Sequence, residues 1–278
     1  MKNFQVYTAA DDSRILQFKR FIEFFQAFNP GKILNVIPFS DSFHLINEEC
    51  KKYNYKVITP SPAIDKCGKL IFRDIEYRTG IVKSWQYMRK LNSFIDSESP
   101  FVFLDVNNLV FHNLDVFANI LKQSKKDILF RGKSAKHRTL TRAHSPMLKK
   151  LDKKIGSGYN CSIILSKPNT IKKRDIQFLS NPALKQFIGK APEQGYICLL
   201  LCLSNLTHNQ IQNEIKNKNY VLSRPNLDLE NLAINQKDRT IQTNKGKILL
   251  NYKYTGTELK NIPENIIQFV DSLNNKNH

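Results

Sequence analysis

Residues 101–111 read FVFLDVNNLVF, an apolar run interrupted by one carboxylate and two side-chain amides. The first four residues predict a buried strand, and Asp105 stands where that strand ends. Asp105 and Asn107 are two residues apart, so in an extended segment their side chains point to the same side. Two interpretations of this stretch are open: a site for a metal ion and phosphates, or a polar turn that stops a strand.

Strands and helices alternate around this stretch. Apolar runs predict strands at residues 4–8, 33–39, 55–59, 101–104 and 127–130, and helical spacing of apolar residues predicts helices near 15–28, 43–53, 79–95 and after 114. Such alternation is typical of parallel βαβ units and predicts an α/β fold with a doubly wound sheet. The second half is less regular, with a strand at 159–165, a buried helix at 192–203, a hairpin at 240–254 and a last helix from Pro263.

Composition sets the class of protein. A chain of 278 residues with 41% hydrophobic and 10% aromatic residues is long enough and apolar enough for a folded core. The N-terminal sequence lacks a hydrophobic signal core, and no apolar run reaches the roughly 18 residues needed to cross a bilayer. We therefore expect a soluble, cytoplasmic protein that forms one continuous domain over residues 1–278. Five scattered cysteines without a C-x-x-C pair predict buried, reduced thiols.

The charge is strongly positive, with 43 Lys and Arg against 24 Asp and Glu and a net charge of +19. This balance favours anionic partners such as nucleic acid, anionic membrane surfaces or phosphorylated ligands. Compositional drift towards Lys and Asn is an alternative explanation. The segment 131–154 combines dense basic residues with one acid, which favours binding of an anionic partner. A solvent-exposed loop and helix face would have the same composition.

Short segments along the chain point to a known family when they are taken in order. They are VYTAADD at 6–12, YMR at 87–89, FLDVNNLVFHNLD at 103–115, YNCS at 159–162, EQ at 193–194, and KYTG at 253–256 with Lys260. Together they resemble GT-A-fold nucleotide-sugar glycosyltransferases of the glycogenin and bacterial lipopolysaccharide galactosyltransferase type. In that family the corresponding segments form the uridine loop, the Y-x-R helix, the D-x-D strand, the acceptor-side strand, the D-Q helix start and a C-terminal motif.

The resemblance implies a GT-A-like, Rossmann-like domain with a mixed, mainly parallel central sheet flanked by helices. Residues 1–130 would form the nucleotide-binding half, and residues 131–278 the acceptor-side half. It implies transfer of a sugar from a nucleotide-diphosphate donor, a UDP-sugar, to a glycan or lipid-linked acceptor in polysaccharide biosynthesis, with retention of configuration. The basic charge would then attract acidic acceptors, or hold the protein at the anionic inner face of the cell membrane.

The resemblance also implies site residues. The backbone of Thr8, Ala9 and Ala10 would lie beside the uridine, and Asp11 would bind the uracil edge. Arg89 would pair with the diphosphate or with carboxylates near the sugar. Asp105 and Asn107 would lie at the diphosphate and at a bound Mn²⁺ or Mg²⁺. Asn160 and Gln194 would border the transferred sugar, with Gln194 beneath the anomeric carbon, and Lys253 and Lys260 would lie nearby.

Four of these residues also have a purely structural interpretation. Asp11 stands where a side chain would cap the first helix. Arg89 reads equally well as a charge on a helix surface. Asn160 could form a hydrogen bond at a strand end, and Gln194 could be a polar residue in the first turn of a helix.

Two departures from the family pattern concern the metal. Asn107 replaces the second aspartate of D-x-D, and Lys253 stands where the family has a histidine ligand, which a protonated lysine cannot replace. We therefore expect weakened or absent metal dependence, with Lys253, Lys260 and Arg89 supplying positive charge at the diphosphate. A non-catalytic GT-A-like binding protein remains an alternative. A basic nucleic-acid-binding protein is a further alternative, but no helix-turn-helix, zinc or RNA-recognition signature supports it.

Overall fold

The structure, a computed structural model, describes residues 4–79, 85–133, 158–178, 181, 188, 191–204, 206–216, 218–223, 232–243, 246–252 and 262–277. The strands in these ranges are β1 (Gln5–Ala10), β2 (Leu34–Pro38), β3 (Lys56–Val57), β4 (Phe101–Leu104), β5 (Asn108–Val110), β6 (Ile128–Lys133), β7 (Tyr159–Ser166), β8 (His208–Gln210), β9 (Tyr220–Ser223), β10 (Ala233–Asn235), β11 (Thr240–Thr243) and β12 (Gly246–Tyr252). The α-helices are α1 (Ile15–Phe28), α2 (His44–Lys52), α3 (Pro62–Thr79), α4 (Asn92–Asp96), α5 (Asp115–Ser124), α6 (Lys173–Phe178), α7 (Pro192–Leu203), α8 (Ile211–Ile215) and α9 (Glu264–Asn277). Two 3-10 helices span Asp12–Arg14 and Trp85–Leu91.

The central sheet has the strand order β3-β2-β1-β4-β7-β6-β8. Neighbouring strands from β3 to β4 are parallel, as are β6 and β8, whereas β7 is antiparallel to both β4 and β6. The predicted α/β class, with a mixed and mainly parallel sheet flanked by helices, is therefore confirmed. A second sheet has the order β10-β11-β12-β5, with β9 added beside β12.

Two apolar clusters cover the two faces of the central sheet. Successive residues of a strand point to opposite faces, so Val102 and Leu104 of β4 join the cluster that includes α1, α5 and α9. Phe101 and Phe103 join the cluster that includes α3 and α7. Burial on both faces explains why β4 is a continuous apolar run rather than an alternating one.

The stretch 101–111 divides between the two sheets. β4 lies at the centre of the first sheet, and β5 pairs antiparallel with β12 in the second. Between them the chain turns, and the backbone N–H of Asn108 donates to the carbonyl oxygen of Asp105 at 2.9 Å. The predicted strand end at Asp105 is correct, and the turn after it is the point where the chain leaves the central sheet.

The main correction concerns α3. From the sequence, Pro60 and Pro62 indicate only the end of the strand predicted at residues 55–59, and no helix is predicted after them. Proline also fits the first turn of a helix, whose N–H groups have no partner within the helix, and the N–H groups of Ile64 and Asp65 donate to the carbonyl oxygen of Ser61. The helix predicted at 79–95 is represented by the 3-10 helix Trp85–Leu91 and α4, and residues 80–84 lie outside the described ranges.

Other predictions have clear outcomes. The β11–β12 hairpin is present, and its turn residues 244–245 lie outside the described part of the chain. All five cysteines are described; no disulfide links them, and all but Cys202 are buried, as expected. Among the described residues, no helix is long and apolar enough to cross a membrane. The division of the chain at residue 130 stays a prediction.

Candidate functional site

The direction of the strand order reverses at β1, with β2 and β3 on one side and β4 on the other. In open α/β sheets, ligands bind in the crevice at the carboxyl ends of the two strands that flank such a point. The hydroxyl of Thr8 donates to the carbonyl oxygen of Leu104 at 2.7 Å and ties these two ends together. Asp11 and Asp105 follow the two strands. We call the region formed by residues 8–11 and 104–108 the β1/β4 crevice.

Asp11 occupies the N-cap position of the 3-10 helix Asp12–Arg14 with an extended backbone, but its carboxylate makes no capping hydrogen bond to that helix. One carboxylate oxygen accepts a hydrogen bond from the hydroxyl of Ser13 at 2.5 Å. The capping alternative for Asp11 is therefore wrong. Thr8, Ala9 and Ala10 are buried in β1, and Asp11 is 8% exposed.

Asp12 has the capping role instead, for a different helix. Its carboxylate accepts hydrogen bonds from the backbone N–H groups of His44, at 2.9 Å, and Ile46, at 3.1 Å. These are N–H groups of the first turn of α2, which have no partner within that helix. Helix-cap patterns are read from adjacent residues, so a cap supplied from 32 residues earlier in the chain leaves no local signal.

The turn after β4 holds Asp105 and Asn107. The N–H of Asp105 donates to the carbonyl oxygen of Ser162 in β7 at 2.9 Å. The side-chain amide of Asn108 donates to the carbonyl oxygen of Asp105 at 2.6 Å and to the side-chain oxygen of Asn107 at 3.4 Å. The polar-turn interpretation is therefore confirmed for the backbone. The Asp105 side chain nevertheless stays 31% exposed, so its carboxylate remains accessible.

Lys90 lies beside the crevice, although no sequence motif marks it. Its ammonium lies 3.3 Å from a carboxylate oxygen of Asp105 and 3.4 Å from the carbonyl oxygen of Cys161. The residue is 4% exposed, and its ammonium lies 5.3 Å from the centre of the Phe103 ring. Nothing in the local pattern distinguishes it from a surface lysine beside Arg89. Only the packing of the 3-10 helix Trp85–Leu91 against the sheet shows the difference.

Glu193, at the start of α7, adds a second carboxylate to this cluster and is 6% exposed. Burial lowers the pKa of Lys90, but the charges of Asp105 and Glu193 outweigh it, so the pKa is raised and the ammonium keeps its proton. Burial raises the pKa of Asp105, Glu193 acts in the same direction, and Lys90 and Arg14 oppose them. Two carboxylates and two cations therefore act on one another at the β1/β4 crevice.

Arg89 is buried rather than a charge on a helix surface, so that alternative is wrong. Its guanidinium forms a fork on Asp65, with Nε and Nη2 donating at 3.0 and 2.7 Å, and Nη1 donates to the carbonyl oxygen of Pro38 at 3.2 Å. Burial lowers the pKa of Arg89, and the carboxylates of Asp65 and Asp41 outweigh it, so the pKa is raised. Arg89 thereby joins α3 to the end of β2. A contact with a diphosphate stays a prediction.

Asn160 and Gln194 lie beside these groups. The Asn160 side-chain oxygen accepts a hydrogen bond from the backbone N–H of Ser162 at 3.0 Å, which confirms the structural interpretation of that residue. Gln194 lies in the first turn of α7, and its amide donates to Glu193 at 3.3 Å. Lys253 and Lys260 lie outside the described residues. β12 ends at Tyr252, whose register partner is Asn108.

Among the described residues, few side chains of the crevice are available to coordinate a divalent metal ion. Within the described ranges, no group of three or more His, Cys, Asp or Glu side chains could hold one. One oxygen of Asp105 already faces an ammonium, and the side-chain oxygen of Asn107 accepts a hydrogen bond from Asn108. Divalent cations of the Mn²⁺ or Mg²⁺ type need several oxygen ligands that are free to coordinate.

A second pocket lies at the opposite, amino-terminal edge of the sheet and has a volume of about 610 Å³. Its lining includes Lys32 and Lys56, which are already paired with Asp115 at 2.7 Å and with Asp96 at 3.3 Å. These cations are therefore already neutralised by protein carboxylates. The β1/β4 crevice is the better candidate site because the strand topology, the buried ammonium of Lys90 and the partly exposed carboxylate of Asp105 coincide there.

No protein-family model and no curated protein sequence matches the chain. Among solved structures, the bifunctional glycosyltransferase WbbM in its apo form matches with a TM-score of 0.55 and 12% identity, covering 91% of this chain and 46% of that one. The galactosyltransferase LgtC, in complex with donor and acceptor sugar analogs, matches with a TM-score of 0.52 and 13% identity, covering 96% of this chain and 95% of that one. This chain thus spans about half the length of WbbM and nearly all of LgtC. At these identities the likeness shows the fold, which is the GT-A fold.

Proposed function

We propose that this GT-A-fold chain is a glycosyltransferase that moves a sugar from a UDP-sugar to a glycan or lipid-linked acceptor. The observation that carries the proposal is the β1/β4 crevice, where Asp11 follows one strand and Asp105 follows the next, with buried Lys90 beside it. This is the edge at which α/β sheets bind nucleotides. The match to LgtC, which was solved with donor and acceptor sugar analogs, supports the same general activity.

In this proposal the uridine lies against the end of β1. Asp11 accepts a hydrogen bond from the uracil ring, and the backbone of residues 8–10 lines the same side. The hydrogen bond from Thr8 to Leu104 fixes this segment relative to β4. Arg89 is a positioning residue here, because its guanidinium holds Asp65 and Pro38 in place.

The diphosphate lies over the turn that holds Asp105 and Asn107. In the reaction the bond between the anomeric carbon and the diphosphate oxygen breaks, and UDP leaves with the electron pair. The oxygen of an acceptor hydroxyl forms the new bond to the anomeric carbon, and its proton passes to the departing UDP. Positive charge near the leaving diphosphate stabilises the transition state. Lys90 and Arg14 both act electrostatically on Asp105 at this position, and Asn160 and Gln194 border the sugar.

The second candidate is a non-catalytic GT-A-like protein that binds a nucleotide sugar without transferring it. The observation that favours it is the contact between Lys90 and Asp105, which occupies a carboxylate oxygen that could otherwise coordinate a metal ion. The net charge of +19 suits an acidic acceptor or an anionic membrane face under either candidate.

The test is a thermal-shift screen of the full chain with UDP, GDP and UDP-sugars, with ADP as a control of the same charge but a different base. Ligand binding to the folded state raises the melting temperature, so we expect UDP and a UDP-sugar to raise it and ADP to leave it unchanged. Slow hydrolysis of the UDP-sugar that binds would support the transferase. Binding without hydrolysis or transfer would favour the second candidate. Absence of any nucleotide effect, together with salt-sensitive binding of duplex DNA, would contradict both.

A further inference from the structure

Lys90 is a buried ammonium 3.3 Å from Asp105, the carboxylate at which the family resemblance implies a metal ion. An ammonium carries three N–H groups. Among the described residues, the carboxylate of Asp105 at 3.3 Å and the carbonyl oxygen of Cys161 at 3.4 Å account for two acceptors. Burying a lysine this deeply is costly unless its charge is compensated, and one carboxylate at 3.3 Å with a second at longer range provides that compensation.

The charge count of the turn agrees with this position. A pair of carboxylates two residues apart would carry two negative charges and would attract a divalent cation. Asn107 removes one of those charges and Lys90 adds a positive one, so residues 105, 107 and 90 together are two charges more positive than a carboxylate pair alone, and Glu193 lies outside this comparison. That change equals the charge of the divalent ion.

We propose that Lys90 takes the place of the divalent cation in the β1/β4 crevice, so that the crevice holds no metal ion and binds a diphosphate without one. The part of this inference that concerns diphosphate binding rests on the proposed function. Lys90 neutralises the partly buried carboxylate of Asp105, which would otherwise repel the phosphates, and its remaining N–H adds positive potential beneath them. Lys90 is a positioning and electrostatic residue, because its ammonium contacts Asp105.

The first measurement uses the wild-type chain and UDP in calorimetric titrations, one in EDTA and one in Mn²⁺. We expect the dissociation constant of UDP to be the same in both buffers, within about twofold. A twofold change corresponds to less than a third of the 1.4 kcal/mol of binding free energy that a tenfold change represents. An affinity that falls tenfold or more in EDTA, by the same scale, would overturn the proposal.

The second measurement titrates Mn²⁺ alone and follows free ion by electron paramagnetic resonance, which requires neither nucleotide nor activity. Wild-type protein should leave Mn²⁺ free. The double variant Lys90→Met with Asn107→Asp restores two carboxylates and removes the ammonium, and it should bind Mn²⁺. Wild-type protein that binds Mn²⁺ as tightly as the double variant would contradict the assignment.

Two single variants separate charge from packing. Lys90→Met should weaken UDP binding in EDTA by about tenfold or more, because a hydrogen bond or close contact with a charged group is lost, and Mn²⁺ should restore part of it. Lys90→Arg keeps the charge and should bind UDP equally with and without metal. Lys51→Met, on the exposed face of α2, is the control and should change neither value. If Lys90→Met does not fold, the wild-type titrations still decide the proposal.

The outcomes also separate this inference from the proposed function. Wild-type protein that binds no nucleotide in either buffer would overturn the proposed function and the diphosphate half of the inference. The Mn²⁺ titration would still decide whether Lys90 excludes a metal ion. Nucleotide binding that requires Mn²⁺ would support the proposed function and overturn the inference.

Discussion

Arg89 and Lys90 are neighbours in one 3-10 helix, and each brings a buried positive charge to a different carboxylate. Arg89 forms a two-point contact with Asp65, whereas Lys90 makes a single contact of 3.3 Å with Asp105. A planar guanidinium suits a fixed structural fork, and an ammonium is a compact point charge. The two residues therefore have different roles: Arg89 joins α3 to the end of β2, and Lys90 places a positive charge beside Asp105 in the crevice.

Arg89→Met is expected to lower the free energy of unfolding by about 3 kcal/mol, because it leaves the largely buried carboxylate of Asp65 without its partner. Urea unfolding measures this value. Lys51→Met is the matched control, since its contact with Glu48 is exposed on both sides, and it should cost less than about 1 kcal/mol. Equal costs for the two variants would show that the Arg89 fork has no special structural role.

At the residue scale, the sequence predicts the position of Asp105 but not that of Lys90. Asp105 is marked by its place at the end of an apolar run, and the strand topology bears out its position at the carboxyl edge. Lys90 is not marked, because its role depends on Cys161 and Asp105, which are distant in sequence. A charged residue beside an arginine looks solvent-exposed until the helix that carries it is packed against the sheet.

At the scale of elements, the two adjacent aspartates that follow β1 have different roles. Asp12 caps α2, whereas Asp11 accepts a hydrogen bond from Ser13 and is the residue that we propose binds the uracil edge. The same edge shows what a sequence pattern can predict. Strands with strong apolar runs, such as β1 and β4, were predicted, whereas α3 was missed because its initial proline was interpreted as a strand end.

Asp12→Ala is expected to cost about 1–2 kcal/mol of stability, the usual cost of losing a helix N-terminal acceptor. Asp11→Asn keeps an oxygen for Ser13 and should change stability by less than about 0.5 kcal/mol. Its affinity for UDP should fall by about tenfold, because a charged acceptor becomes neutral. Urea unfolding and calorimetric titration of both variants provide the test. A stability loss in Asp11→Asn with unchanged UDP affinity would reverse the assignment.

The β11–β12 hairpin depends on Gly246, which has a φ of +131°. A Cβ atom there would lie 2.5 Å from the carbonyl oxygen of Asn219. Gly246→Ala should therefore cost at least about 2 kcal/mol, from backbone strain and the clash together. Gly31 has a φ of +75° and no atom within 4 Å of such a Cβ, so Gly31→Ala should cost about 1 kcal/mol from strain alone. Equal unfolding midpoints in urea would contradict the clash.

For the whole molecule, the alternation of apolar runs was enough to predict the α/β class, and the order of the short segments was enough to predict the GT-A fold. The short elements of the second half, such as β8 and β10, were not predicted because each has only three residues and is stabilised by pairing with distant strands. The partner of the basic segment 131–154 stays a prediction, since residues 134–157 lie outside the described ranges.

The stability of the whole chain should fall at alkaline pH. Burial raises the pKa of the Cys50 thiol to about 12, and burial also raises the pKa values of Tyr55 and Tyr7. These groups keep their protons in the folded state and lose them in the unfolded state, so stability is full below about pH 8.5 and declines as the pH rises towards 12. Cys50 alone should account for roughly 2 kcal/mol by pH 10.5.

The measurement is a series of urea unfolding curves between pH 8 and 10.5. Cys50→Ala is the matched variant, because it removes one of the titrating groups and should therefore show a shallower decline with pH. A stability that is constant or rises over this range would show that these groups are not buried as described.

The most direct test of the account is a crystal structure of the full chain with UDP, grown in EDTA. We predict the uracil within about 3 Å of the Asp11 carboxylate, and the diphosphate over the turn at residues 105–108, above the paired Lys90 and Asp105. A nucleotide bound away from the β1/β4 crevice, or a crevice without nucleotide at millimolar UDP, would contradict the account.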